Sequence, residues 1–366
     1  MAEQVAQDVD GRRDELVERL FGAVLGMNDL YMVYIGERLG FYRALVEIGP
    51  ATSAELSAAA GTHERYTREW LEQQAVTGIL EVEDPGEGAP ARRYRLPAGH
   101  EEVLTGRDSL NYLAPFARMM VGIVRPVPAV LEAFRSGGGV PYADFDADFC
   151  EGQGEMNRAQ FVNLLGSEWL PAVPDVHARL EAGPPARVAD VACGTGWSSI
   201  ALATAYPKVR VDGFDLDEYS IGLAQRNLAG TDLADRVSFE VRDAADPGSQ
   251  GGYDLVTVFE AIHDLSAPVE VLRAMRGLLA EGGSVIVADE RVADSFTAPG
   301  DEVERLMYGW SVLHCLPVGM AEQPSAATGT AMRPETLREY ALAAGFRDVE
   351  ILPIENDFWR FYRLRP

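Results

Sequence analysis

The groups able to do chemistry in this chain gather where short apolar runs end. Val188, Ala189, Val191 and Ala192 make a run of the kind a buried parallel strand shows. Cys193-Gly194-Thr195-Gly196 then turns the chain, and Trp197 to Tyr206 continues with helical spacing. Gly194 and Gly196 let backbone approach a ligand where a side chain would collide, and the helix start beyond them offers unpaired N–H groups to an anion. A second run, Val209 to Phe214, ends in Asp215. That acid follows the turn by about 20 residues, the offset at which such a fold places a ribose-binding carboxylate. Ser199 stands where the third glycine of GxGxxG would be, which argues against NAD or FAD. Two further runs end in polar groups: Val237 to Val241 before Asp243, and Tyr253 to Phe259 before Glu260, His263 and Asp264. Open α/β sheets bind ligands beyond such strand ends.

From Pro184 onward strand and helix alternate, the pattern of a doubly wound parallel sheet. Ser284 to Ala288 is a fifth strand. Residues 291–325 insert a helical segment with Trp310, His314 and Cys315, and 348–354 with 358–364 read as a closing antiparallel pair. The expected fold is therefore α/β, a Rossmann-like, mostly parallel sheet with an antiparallel pair, over residues 181–366. Residues 1–100 read as a mainly helical, winged-helix-like domain. Thr52 or Ser53 caps one short helix and Thr62 the next, and an alternating strand and a Gly/Pro-rich tip follow. Leu16, Leu20, Val24 and Met27 recur at helical spacing before it. Residues 101–180 read as a helical linker and pocket cover. Within them 141–161 is polar, aromatic and irregular, leading into a helix from Asn157 to Leu170.

Composition narrows the function. The chain has 366 residues, 47% hydrophobic and 24% charged, as ordinary globular proteins do. A net charge of -25 repels phosphate backbones and anionic membranes, so neither nucleic acid nor a membrane is expected as partner. The helix at 62–77 mixes Glu64, Glu69 and Glu72 with Arg65 and Arg68 and has no basic face. Three widely spaced cysteines, Cys150, Cys193 and Cys315, suggest neither a disulfide framework nor a metal site. With a polar N-terminus and no apolar run of membrane length, a cytoplasmic location is expected.

DVACGTGW followed by GFDLD resembles motif I and the acidic second-strand motif of class I S-adenosylmethionine-dependent methyltransferases. The N-terminal unit resembles the dimerisation domain of small-molecule O-methyltransferases, whose winged helix does not bind DNA. This resemblance implies S-adenosylmethionine as cofactor, a small-molecule acceptor and a homodimer. It implies a cofactor site of Asp190, Cys193, Gly194, Gly196, Asp215, Leu216, Asp243, Ala244 and Glu260. Asp215 would bind the ribose hydroxyls or cap the helix starting near Glu218, a capping role Asp217 could share. Asp243 would face the adenine or only make a turn. Leu216 would pack on the adenine or belong to the core, and Asp190 would anchor the methionine amino group or only fix the turn. Phe145, Phe149, Met156, Asn157, Phe161, Trp310 and His314 are the acceptor-pocket candidates, the alternative for 141–161 being a linker packed by its aromatics. AIHDLSAP at 261–268 is similar to the LHDW-type motif of those O-methyltransferases, with Leu265 in place of tryptophan. There the histidine is the general base, a role that falls on His263; the alternative is a histidine that only holds the loop or caps the next helix. Glu260 and His314 are the reserve bases. The competing functions are carbon or nitrogen methylation, a non-methylating reaction on the same cofactor, and a ligand-sensing DNA-binding regulator.

Overall fold

The computed structural model describes residues 2–246 and 251–366. Contacts divide the chain into two compact units, Met1–Val121 and Gly122–Pro366. The stretch following Val121, read from sequence as part of a separate linker, packs with the second unit.

In the first unit a long helix, Ala2–Arg38, precedes the helices Phe41–Ile48, Ser53–Ala60 and Glu64–Val76 and the strand pair β1 (Glu81–Val82) and β2 (Tyr94–Arg95). Thr52 and Glu55 close a reciprocal capping box that starts the third of these helices. The expected cap at Thr62 is replaced by His63, whose ring accepts the Arg65 N–H, while Thr62 bonds the Thr67 hydroxyl. Phe41, Tyr42, Leu45, Leu56, Trp70 and Leu71 form the core of this unit. The wing arginines do not form a cationic face. Arg92 pairs with Glu72 at 3.0 Å, Arg93 with Glu55 at 3.1 Å, and Arg95 with Glu81.

The second unit is built on a seven-stranded sheet of order β5-β4-β3-β6-β7-β9-β8. The strands are β3 (Arg187–Val191), β4 (Arg210–Asp215), β5 (Val237–Val241), β6 (Tyr253–Phe259), β7 (Leu279–Glu290), β8 (Asp348–Ile351) and β9 (Trp359–Arg365). The first five are parallel, and β9 pairs antiparallel with both β7 and β8. Strands β3 and β6 are buried on both faces, as the continuous apolar runs at 188–191 and 255–259 require. From β3 the chain moves outward to β4 and β5, then returns across β3 to β6. The switch point between β3 and β6 opens a crevice at their carboxyl ends.

A further sequence expectation fails here. The segment expected to be irregular up to Asn157 is already helical from Ala147 to Gln160 and passes into a π-helical stretch, Phe161–Trp169. Asp146 caps the helix by accepting the Asp148 N–H at 2.9 Å. Its internal Gly154 marks close approach rather than a break. A Cβ on Gly154 would lie 2.4 Å from Thr195 Oγ1, so glycine lets this helix press against the turn after β3.

Candidate active site

The turn after β3 is fixed from below by Asp190. This carboxylate has no exposed surface and accepts three hydroxyls: Ser198 at 2.5 Å, Ser199 at 2.6 Å and Thr257 at 2.8 Å. Burial raises its pKa, and the three hydroxyls work in the opposite direction. Of the two roles open to it from sequence, the geometry is that of a turn anchor. Ser199, noted only as a missing glycine, ties the new helix to the strand.

The two glycines do different things. Gly194 has φ 52, and a Cβ there would meet nothing within 4 Å, so its freedom leaves an open approach over the backbone. Gly196 has φ 80, and a Cβ would lie 2.5 Å from the Phe239 ring and 2.8 Å from the Ala224 methyl. Its smallness also serves the packing of β5 and the helix Glu218–Ala229. Cys193 is buried beneath the turn, its Sγ 3.0 Å from where a Cβ on Gly213 would stand. Ala192 adopts φ 53, a left-handed conformation in a residue with a side chain. Sequence reading missed it because alanine hides what glycine would announce.

Asp215 ends β4 and reaches back to the turn. Its Oδ2 accepts the Gly194 N–H at 2.8 Å and its Oδ1 the Asp217 N–H at 2.9 Å. Burial pushes its pKa up to about 6 against the lowering effect of these backbone donors. The helix cap falls instead to Asp217, which accepts both the N–H and the hydroxyl of Ser220. Leu216 stands 62% exposed beside Asp215, outside the core. Asp243 is exposed and accepts the Ala245 N–H at 2.8 Å, a turn of its own making, and Ala244 packs on the core behind it. These groups fit S-adenosylmethionine. An open glycine, a two-oxygen acceptor at the end of the second strand and the start of the helix Trp197–Ala205 converge beyond one strand edge.

The helix Ala147–Gln160 crosses this edge. Cys150 Sγ lies 3.2 Å from Ser220 Oγ, Tyr219 donates to Glu151 at 2.6 Å, and Arg158 stacks over Trp197 at 4.7 Å. Asn157 donates to Glu260, which also accepts the Trp359 indole N–H at 2.7 Å. Glu260 sits at φ 51 at the switch point, and burial raises its pKa. Met156 is half-buried on the same helix. Phe161 packs its ring among Phe259, Trp169 and Trp359 in the core.

His263 and His314 lie close together in unlike surroundings. His263 is 2% exposed; its Nδ1 is 2.7 Å from Asp289 Oδ1 and its Nε2 3.2 Å from Asp264 Oδ1. Burial opposes charge on this ring, but Asp289 and then Asp264 outweigh it and hold the pKa well above the usual value. Asp289, at the end of β7, was missed, although an acid closing an apolar strand is the signal that singles out Asp215. His314 follows Trp310, the half-buried last residue of the helix Glu302–Trp310. It is also 2% exposed, and burial pushes its pKa down to about 4, so this ring is neutral. Its Nε2 has no hydrogen-bond partner. Phe149, Phe145 and Tyr142 surround it with ring centroids at 4.2, 4.4 and 5.7 Å.

With this geometry in view, the family model described as a methyltransferase domain matches residues 184–328. This part of the chain is a methyltransferase domain. Residues 29–106 match the Rv2258c-like winged HTH domain. The chain is 28% identical over 155 residues to a trans-aconitate 2-methyltransferase of Methylobacterium nodulans, covering 42% of this chain and 56% of the relative. It is 25% identical over 142 residues to a ubiquinone/menaquinone biosynthesis C-methyltransferase of Geotalea daltonii, covering 38% and 58%. The chain thus spans a little over half the length of these curated relatives. Among solved structures, a mitomycin 7-O-methyltransferase superposes with a TM-score of 0.67 at 19% identity, over 97% of this chain and 99% of that one. At that identity the likeness concerns the fold, which is that of the class I enzymes.

Proposed function

We propose that this protein transfers the methyl group of S-adenosylmethionine to an oxygen of a small-molecule acceptor. The observation that carries the reading is Asp215 bonded to Gly194 N–H across the mouth of the glycine turn, with Gly194 itself open above. Bound S-adenosylmethionine supplies a methyl that is already electrophilic on its sulfonium. The chain's own tasks are then to orient the acceptor, exclude water and take the hydroxyl proton. Asp215 would hold the ribose hydroxyls, Leu216 and Asp243 would meet the adenine, and Gly194 with Ala192 would let the backbone close on the cofactor. The helix Ala147–Gln160 covers it, tied by Asn157 to Glu260. Phe145, Phe149 and Tyr142 hold the acceptor's apolar body. The acceptor proton goes to His314, whose Nε2 is unpartnered among these rings, rather than to His263, whose two ring nitrogens both face carboxylates. A carbon acceptor is the second reading, favoured by the C-methyltransferase relative.

The exposed stripe on the helix Ala2–Arg38 supports a homodimer. Leu16, Val17, Leu20, Phe21, Val24 and Leu25 all stand exposed, Phe21 at 64%. An unpartnered apolar face of this length marks an association surface. Three buried unpaired cysteines suit a reducing cytoplasm. Incubation with S-adenosylmethionine and a panel of hydroxylated aromatic metabolites tests the reading. It expects S-adenosylhomocysteine and a product whose carbon-13 spectrum carries a methyl on oxygen. A methyl on carbon would favour the second reading, and no S-adenosylhomocysteine with any acceptor would oppose both.

A further inference from the structure

We propose that His263, Asp264 and Cys315 form a binding site for a divalent transition-metal cation of the zinc class. The sequence gives no metal motif, because the three come from two distant dipeptides. His263-Asp264 lies in the 3₁₀ turn Ile262–Asp264 after β6, and Cys315 ends the π-helical stretch Ser311–Cys315. The fold brings one ligand atom from each within 4.8 Å of the others. Imidazole nitrogen, carboxylate oxygen and thiolate sulfur together are the donor set of a borderline-soft cation such as Zn²⁺.

Three observations separate this cluster from a chance meeting of polar groups. First, His263 Nε2 and Asp264 Oδ1 are 3.2 Å apart, yet Asp264 Oδ1 has no aligned hydrogen bond. Zinc bonds of roughly 2.0–2.2 Å to nitrogen and oxygen place those two ligands about 3.3 Å apart around a tetrahedral ion. Second, His263 Nδ1 is bonded to Asp289 Oδ1 at 2.7 Å, and that oxygen also accepts the Glu290 N–H at 2.9 Å. A carboxylate behind the ring, itself anchored, is the arrangement that turns the other nitrogen toward a metal. Third, the site is buried but not sealed. His263 and Cys315 have almost no exposed surface, while the Asp264 side chain keeps 18%. A cation would enter past Asp264.

Three protein ligands leave a fourth position for water or another oxygen, as in zinc sites that are not closed by protein. His314 Nδ1, 3.9 Å from Asp264 Oδ2 and 3.6 Å from Cys315 Sγ, stands beside the cluster, and its Nε2 has no hydrogen-bond partner. Uptake of the ion displaces the Cys315 thiol proton and the proton on His263 Nε2 into solvent. The site is independent of the methyl-transfer reading, because the ion is detected without turnover.

The test uses the full chain, stripped with chelator under reducing conditions and titrated with Co²⁺, then Zn²⁺. One Co²⁺ per chain should bind with a sulfur-to-cobalt charge-transfer band, Zn²⁺ should abolish the band, and the thermal midpoint should rise with Zn²⁺. Cys315→Ser should lose the band and the Zn²⁺-dependent rise, while Cys150→Ser keeps both. Asp289→Asn should weaken Co²⁺ affinity about 10–100-fold. Should Cys315→Ser fail to fold, the same loss of affinity is expected of Asp264→Asn. No bound Co²⁺, a band that survives Cys315→Ser, or unchanged affinity in both aspartate variants would overturn the site.

Discussion

Asp215 makes cofactor affinity depend on pH in a direction the structure fixes. Burial pushes its pKa up to about 6. The ionised carboxylate is the form that can accept two ribose hydroxyls, since the protonated form must use one oxygen as a donor. The raised pKa therefore leaves affinity intact above about pH 6 and removes it as pH falls through that value. One unit below the pKa only about a tenth of the groups are ionised, so the dissociation constant for S-adenosylmethionine should rise roughly tenfold between pH 7 and pH 5. Hydrogen bonds to a charged acceptor contribute about 1.5–3 kcal/mol each, so Asp215→Asn should weaken binding by at least roughly tenfold at pH 7.5 and flatten the profile. The substitution also puts an amide against the Gly194 or Asp217 N–H, so some thermal stability goes with it. Calorimetric titrations across this range, on both proteins, measure the two slopes. An affinity for wild type that is level from pH 5 to 8, or an unaltered slope in Asp215→Asn, would refute the role given to this carboxylate.

The two glycines of the turn should separate in their effects. Gly196→Ala drives a methyl into Phe239 and should lower stability by about 2–4 kcal/mol, seen as a lower melting temperature. Gly194→Ala, with open space around it, should cost only about 1–2 kcal/mol while impairing cofactor binding. His314→Gln should lower kcat about 100-fold or more with cofactor affinity unchanged, whereas near-normal turnover would move the base elsewhere. Replacing Leu20 and Phe21 together by glutamate should give a monomer by light scattering, and a wild-type monomer at micromolar concentration would contradict the dimer.

Much of this site was legible in the chain because it depends on strand ends. Apolar runs at 188–191, 210–214 and 253–259 locate β3, β4 and β6, and a polar residue closing each run must stand where the sheet opens. The wing was legible from its turn residues, and Thr52 with Glu55 from the spacing of a capping box. What stayed hidden depends on contacts between distant segments. Glycines at 152 and 154 make the helix Ala147–Gln160 look irregular, while Gly154 is there because Thr195 leaves no room for a methyl. That Gly196 also packs against Phe239 cannot be read from the turn itself. His263 reads as a base from its motif, but its two carboxylate partners come from the next residue and from the far end of β7. Nothing next to Phe161 marks it as core; Trp169 at the far end of its own helical stretch, Phe259 of β6 and Trp359 of β9 decide it.

The most direct measurement of the central claim is a titration of the purified protein with S-adenosylmethionine and, separately, with NAD. A glycine turn without its third glycine, joined to Asp215 through the Gly194 N–H, should bind one S-adenosylmethionine per chain at pH 7.5, with no saturable uptake of NAD. Saturable NAD binding, or no heat with S-adenosylmethionine from a folded sample, would contradict the account.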